Sequence, residues 1–187
     1  MRRGAIPPTD PSPLSLDFRP WQEGDEEALV KIANNRKIWR NLTERFPHPY
    51  TMKDAVSWIG HANSEPSDVM NLALLVNGEI AGGAGFERGD DLSTRTAEMG
   101  YWLGEPYWGK GFATRALGHT TQRAFEDFDF VRLEAGVIEW NPASRRVLEK
   151  AGYTLEARHA KRLFKDGQHC DEFIYALLRE DWNTQDE

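Results

Sequence analysis

The stretch that most constrains this chain runs from Glu98 to Leu117, Glu-Met-Gly-Tyr-Trp-Leu-Gly-Glu-Pro-Tyr-Trp-Gly-Lys-Gly-Phe-Ala-Thr-Arg-Ala-Leu. It reads as a strand, then a turn carrying Gly109 and Gly111, then the first turn of an amphipathic helix. Glycines there let the backbone curl so that successive N–H groups point inward, and a helix starting at that point adds its positive dipole end. Such a turn suits an anion of the phosphate or pyrophosphate type. It is not a phosphate loop of the Gly-Lys-Ser/Thr kind, and it lacks the third glycine of the dinucleotide fingerprint.

The pattern on either side of this stretch sets the fold class. Leu14 to Arg19 alternates apolar and polar, as a strand does. After a break at Glu23-Gly24-Asp25, Ala28, Leu29, Ile32 and Ala33 recur at helical spacing; Trp39 and Leu42 extend that face or open a second short helix. Phe46-Pro47-His48-Pro49-Tyr50 is a stiff aromatic connector, either packing between helices or walling a substrate slot. Thr51 is placed to cap a helix carrying Ala55, Val56, Ile59 and Ala62. Met70 to Val76 and Glu79 to Glu87 flank Asn77-Gly78, the strongest two-residue hairpin signal, and Thr94 to Leu103 is the next strand. Ala116, Leu117, Thr121, Ala124, Phe125 and Phe128 line one helix face, and Val131 to Trp140 is a strand. Asn141-Pro142 opens a helix that Gly152 ends. Thr154 to Phe164 and His169 to Leu178 form a closing hairpin. The expected fold is α+β: one domain with a mixed, mostly antiparallel sheet of about seven strands, about four helices, and one parallel crossover between residues 98 and 140. Residues 1–13, rich in Pro and without periodicity, read as a flexible tail ahead of a domain spanning 14–187.

Composition narrows the function. A net charge of -7 argues against a nucleic-acid binder and fits a cationic or amine-bearing substrate. A single cysteine excludes a disulfide framework. No apolar run approaches the roughly 20 residues that span a bilayer, and no apolar core follows Arg2-Arg3, so a cytoplasmic location without membrane attachment is expected. The five histidines have no metal-ligand spacing, so no metal is expected. His169-Cys170-Asp171 looks like a nucleophile cluster, but neighbours on a strand face opposite ways, which leaves Cys170 as a packed thiol.

Trp108-Gly109-Lys110-Gly111-Phe112-Ala113 resembles the pyrophosphate loop of the GNAT superfamily of acetyl-CoA-dependent N-acetyltransferases, Gln/Arg-x-x-Gly-x-Gly/Ala. Gly111 and Ala113 fill its last two positions, and Trp108 stands where the family has Gln or Arg. Gly-Tyr-Trp-Leu followed by Tyr-Trp-Gly-Lys-Gly is similar to the branch of ribosomal-protein N-terminal acetyltransferases, the RimJ/RimL type. The resemblance covers roughly residues 14 to 180. It implies acetyl-CoA as cosubstrate, with pyrophosphate on the amides of Gly109, Lys110, Gly111, Phe112, Ala113 and Thr114, and pantetheine paired to the main chain of Tyr101, Trp102 and Leu103.

By residue type alone Glu98 is a solvent-facing strand carboxylate on a cross-strand pair; the resemblance implies a general base at that place. Asn141 is fully accounted for as a helix cap, but Asn141-Pro142-Ala143-Ser144 also matches the family's Asn-x-x-Ala/Ser, which implies a pantetheine contact for Asn141 and a place near the sulfur for Ser144. The tyrosine that many members carry four residues later is Leu148 here, leaving Ser144, or a water it holds, as the candidate acid in this motif. Chemistry requires such groups. An α-amine of pKa near ~7.8 is about one-tenth neutral at pH 7, whereas a lysine near ~10.4 is neutral in about one molecule in several thousand. The expected activity is acetyl transfer to a primary amine, on a protein N-terminus or a small molecule, by direct attack in a ternary complex. The acceptor slot is expected between Trp39 to Tyr50 and Arg158 to Phe164; a homodimer stays open. A non-catalytic acyl-CoA sensor, or an acyltransferase using another acyl-CoA, stays open too.

Overall fold

Turn signals a few residues apart demand antiparallel neighbours, and most of the sheet is built that way. The protein is represented by a computed structural model describing residues 14–64 and 69–183; the tail expected at 1–13 lies outside the described residues. β1 (Leu16–Pro20), β2 (Met70–Val76), β3 (Glu79–Arg88) and β4 (Thr96–Leu103) lie side by side, each antiparallel to the one before. β5 (Arg132–Ile138) joins β4 in parallel, and β6 (Thr154–Lys165) and β7 (Gln168–Leu178) complete a seven-stranded sheet in the order β1-β2-β3-β4-β5-β7-β6. The one parallel step is the crossover foreseen between residues 98 and 140. α4 (Phe112–Asp127) makes it, burying Ala116, Leu117, Thr120, Thr121, Ala124 and Phe125.

Six helices accompany the sheet among the described residues: α1 (Glu26–Ala33), α2 (Arg36–Trp39), α3 (Met52–Ser64), α4, α5 (Pro142–Lys150) and α6 (Arg179–Asn183). α2 is the second short helix left open at Trp39, and α6 is a one-turn piece too short for a hydrophobic period to mark it. α3 begins as foreseen: the Asp54 amide donates to Thr51 Oγ1 at 3.4 Å while Thr51 N donates to Asp54 Oδ2 at 2.8 Å, a reciprocal cap with Asp in the usual Glu place.

The sheet divides the core. On one face α1 and α3 pack Leu29, Ala33, Ala55 and Ile59 against Trp21, Ala73 and Leu75. On the other, α4 and α5 pack Leu117, Phe125 and Leu148 against Phe86, Met99, Leu133 and Val137. Alternation along β4 then sends Ala97, Met99 and Leu103 to the α4 side, and Glu98, Gly100 and Trp102 to the α1–α3 side. β3 runs tight beneath them: a Cβ on Gly85 would fall 1.8 Å from the Met70 carbonyl oxygen, so only glycine fits.

Candidate active site

β4 and β5 share only three ladder positions, Thr96 to Glu98 against Arg132 to Glu134. Beyond Glu98 they part. β4 runs on to Leu103 paired only with β3, and β5 continues paired only with β7. The edge of β4 from Met99 to Leu103 therefore opens onto a cleft of about 740 Å3. A strand edge with free N–H and C=O groups can accept an extended chain as one more strand.

At the end of that edge the chain makes a short 3-10 turn at Glu105–Tyr107 and enters the glycine turn. Gly109 and Gly111 have φ of +73° and +80°, and a Cβ on either would meet open space, so the dihedral angle and not crowding calls for glycine. Gly111 is the N-cap of α4 and supplies no capping side chain; the bond from Arg115 N to its carbonyl, 3.1 Å, opens the helix. The first turn of the helix, whose leading amides have no partner within the helix, borders the cleft, where Gly109, Gly111, Phe112, Ala113 and Thr114 all line the wall. Trp108, in the position the family fills with Gln or Arg, locks the turn: its Nε1 donates to the Leu103 carbonyl at 2.8 Å. Lys110 is turned away, its ammonium donating to the Pro106 carbonyl at 2.9 Å.

Across the cleft stands the start of α5. Asn141 Oδ1 accepts from Ser144 N at 3.1 Å, the cap expected from its position before Pro142. Ser144 Oγ lies 2.7 Å from the hydroxyl of Tyr101, which also reaches the Ser144 carbonyl at 3.2 Å. Burial pushes the Tyr101 phenol up to about 12, against the bond to Ser144, so it stays an O–H at physiological pH. Leu148 is fully buried and presents no hydroxyl to the cleft.

Glu98 sits where the strands part. Glu87 is directly opposite it on β3 and Glu134 on β5, so three carboxylates stand abreast. Burial raises the Glu98 pKa above the ordinary carboxylate value, and the charges of Glu87, Glu134 and Glu172 raise it further, with Arg45 opposing. A second cavity of about 510 Å3 meets the cleft at Glu98 to Trp102 and at Leu42 and Thr43. Of the residues singled out from the sequence, Glu98, Tyr101, Trp102, Leu103, Asn141 and Ser144 share the cleft with the turn residues, and Lys110 does not line it.

Three features had no signal in the sequence. The Tyr101 hydroxyl joins β4 to α5 across 43 positions. The second cavity arises from elements distant in the chain. The third is a clasp. Leu42, Thr43 and Glu44 after α2 line the same cleft as Leu163, Phe164 and Lys165 of the closing hairpin, near the expected slot. Arg36 reaches Asp166 at 2.6 Å, and the nearly buried Lys165 ammonium lies 2.9 Å from Glu44 and 4.0 Å from the centre of the Trp39 ring. Among the described residues no group of three or more His, Cys, Asp or Glu could hold a metal ion, and no helix is long and apolar enough to cross a membrane.

Residues 15–154 match the family model of the acetyltransferase (GNAT) domain. YdaF, an N-acetyltransferase relative from Bacillus subtilis (strain 168), is 32% identical over 174 residues, which are 91% of this chain and 94% of that protein. The ribosomal-protein-serine acetyltransferase of Escherichia coli (strain K12) is 30% identical over 167 residues, 88% of this chain and 93% of its own. The structure of Mycobacterium smegmatis RimJ in complex with CoA-disulfide superposes with a TM-score of 0.78 at 23% identity, covering 91% of this chain and 87% of that one.

Proposed function

This chain belongs to the GNAT acetyltransferase family and is an N-acetyltransferase, and from that premise we propose that it carries an acetyl group from acetyl-CoA to a primary amine by direct attack in a ternary complex. The observation that carries this reading is the parting of β4 from β5 beyond Glu98, with an uncapped helix start at the end of the free edge. An extended pantetheine arm fits the Met99 to Leu103 edge, and a pyrophosphate fits the amides of Gly109 to Thr114. The solved relative with CoA-disulfide has the same fold, which supports the choice of cosubstrate.

Acetyl-CoA supplies the activated acyl group; the chain supplies position and proton handling. Glu98 accepts the proton of the attacking amine. Its raised pKa makes it a stronger base than a free carboxylate, and the carboxylates of Glu87 and Glu134 beside it draw an ammonium to this position. Tyr101 and Ser144 serve the departing sulfur. When Tyr101 donates to Ser144 Oγ, the Ser144 proton is free to point into the cleft and stabilise negative charge there. Asn141 fixes the turn that carries Ser144 and offers its amide to the pantetheine arm.

Thermal unfolding tests the binding half. Acetyl-CoA at about one hundred times its Kd should stabilise the fold by about 2.7 kcal/mol, a rise in Tm of roughly 5–10 °C for a chain of this size. Release of free thiol in the presence of an amine tests the transfer half. No shift at millimolar acetyl-CoA counts against the site; a shift without thiol release from any amine points instead to a CoA-binding sensor.

A further inference from the structure

The fork between β4 and β5 has a second wall, where β5 passes from Glu134 through Gly136 to Ile138. Glu98 stands opposite Glu134, and side chains alternate along a strand, so Glu98, Glu134 and Gly136 share the face on which α1 and α3 pack. β7 continues the row. Glu172 pairs with Ile138, so its side chain rises on that face as well. From there it leans back over Gly136. A Cβ on Gly136 would stand 2.8 Å from Glu172 Oε1 and 3.5 Å from its carboxyl carbon. The carboxylate thus occupies room that any other residue at position 136 would fill. Glu98, Gly136 and Glu172 all line the same cleft.

The two oxygens of Glu172 differ. Oε2 is shut off from solvent and faces β6, with Arg162 Nε 2.8 Å away and His159 Nδ1 3.5 Å away. The Arg162 guanidinium therefore holds the carboxylate from behind. Oε1 is not shut off, and it has no hydrogen-bond partner among the described residues. An open carboxylate oxygen beside a cleft is an acceptor that lacks a donor. With the pantetheine arm along the β4 edge, the opposite wall is left to the acceptor. Of the groups that acetyl transfer brings into the fork, the ammonium of the acceptor alone carries positive charge together with several N–H bonds.

We propose that Glu172 is a second acceptor-binding carboxylate, whose Oε1, seated over Gly136, accepts a hydrogen bond from the incoming amine across the fork from Glu98. The proposal rests on the acetyltransferase reading and adds a residue to it. The ammonium gives one proton to Glu98 and stays hydrogen-bonded to Glu172 while its nitrogen attacks the thioester carbon. The C–N bond forms and the C–S bond breaks, a second proton leaves the nitrogen for the departing sulfur, and free thiol is released.

The charges around Glu98 make the arrangement measurable. Glu87 on β3 is paired with Arg45 from the loop before α3, and Glu134 on β5 is paired with Arg132. Asp54 and His61 face the second cavity from α3, and Lys165 is paired with Glu44 where both line the cleft. The charge of Glu172 adds to those of Glu87 and Glu134 in raising the Glu98 pKa, with Arg45 opposing. Removing it lowers that pKa, which moves the acidic limb of the pH–rate profile to lower pH.

Thiol release is measured with acetyl-CoA and each of spermidine, phenethylamine and a short peptide beginning with alanine, and variants are compared on the fastest of the three. Glu172→Gln keeps the shape and removes the charge. It should raise the KM of the amine about fivefold to tenfold, hold the KM of acetyl-CoA within about twofold, and move the acidic limb down by about 0.3–0.5 pH units. Gly136→Ala keeps Glu172 but puts a methyl group where its carboxylate rests. A side-chain end can give way, so the fold should survive while the amine KM rises about threefold or more. The double variant should be no worse than Glu172→Gln alone, since both changes remove one contact. Tm and the stabilisation by acetyl-CoA check that each variant folds and keeps its cosubstrate site. Should Glu172→Gln not fold, the amine KM of Gly136→Ala decides. An unaltered amine KM in a folded variant, an unmoved acidic limb in Glu172→Gln, or a rise in the KM of acetyl-CoA instead of that of the amine overturns the proposal and leaves acetyl transfer standing. Thiol release with none of the three amines overturns both.

Discussion

Glu98, Glu87 and Glu134 lie abreast on three strands, an arrangement that costs stability because like charges directly opposite repel by roughly 0.2–1 kcal/mol per pair. Glu98→Gln should therefore separate function from stability. Removing the base should lower kcat by about 100-fold and abolish the acidic limb of the pH–rate profile. The same change should raise Tm at pH 7 by about 1–4 °C. The sign follows from the direction of the shift. A carboxyl whose folded pKa is raised destabilises the fold where it is ionised, so the variant's advantage is present above that raised pKa and fades as pH falls toward the unfolded value. Melting curves of both proteins at pH 4.5 and pH 7 check it. Tyr101→Phe should lower kcat about fivefold to tenfold with little change in the KM for acetyl-CoA, because it frees Ser144 to turn away without removing its hydroxyl. Ser144→Ala should cost more, and the double variant no more than Ser144→Ala alone; rates from the four proteins form the cycle. Glu98 and Ser144 stood out in the sequence because their motifs are local. The Tyr101 side chain did not, since its partner lies on another element.

At the scale of elements, the boundaries of most strands and of α3 to α5 followed from spacing and caps, as at Thr51 and Asn141. α2 was open from the sequence as a second short helix around Trp39, but its bounds were not, because four residues hold barely one turn, and its place is set by what it grips. Asp166 of the closing hairpin holds Arg36 at 2.6 Å and lies 4.0 Å from Arg40, while Trp140 donates its indole N–H to the Arg40 carbonyl. Asp166 has φ of +54°, a conformation asparagine tolerates equally, so Asp166→Asn removes the charge and spares the turn. It should lower stability by about 0.2–1 kcal/mol in low salt, shrinking toward zero at 0.5 M NaCl, as expected of a pair whose arginine is largely exposed. Urea denaturation at the two salt concentrations measures both values.

Over the whole molecule, a net charge of -7 acts on the two substrates in opposite senses. It draws a cationic amine in and repels a polyphosphate at long range, and both effects are screened by salt. Raising ionic strength from 20 to 300 mM should lower kcat/KM for the amine about twofold to threefold and leave kcat/KM for acetyl-CoA equal or higher. Initial rates with each substrate varied in turn distinguish the two trends. Net charge is additive and needs no coordinates, which is why this property was available from composition. The fold class was available for a related reason: alternation, helical spacing and the Asn77-Gly78 turn are short-range, and a mixed sheet with one crossover is what their order allows. The glycine turn was legible as well, because positive φ at Gly109 and Gly111 is a demand on residue type at those two positions. Tertiary structure alone decided where β4 leaves β5, how the hydroxyls of Tyr101 and Ser144 meet, and that Gly85, Gly100 and Asn71 line up beneath one cavity. Those features depend on registry between strands and on contacts across tens of residues, and no local pattern encodes a distance that only folding sets.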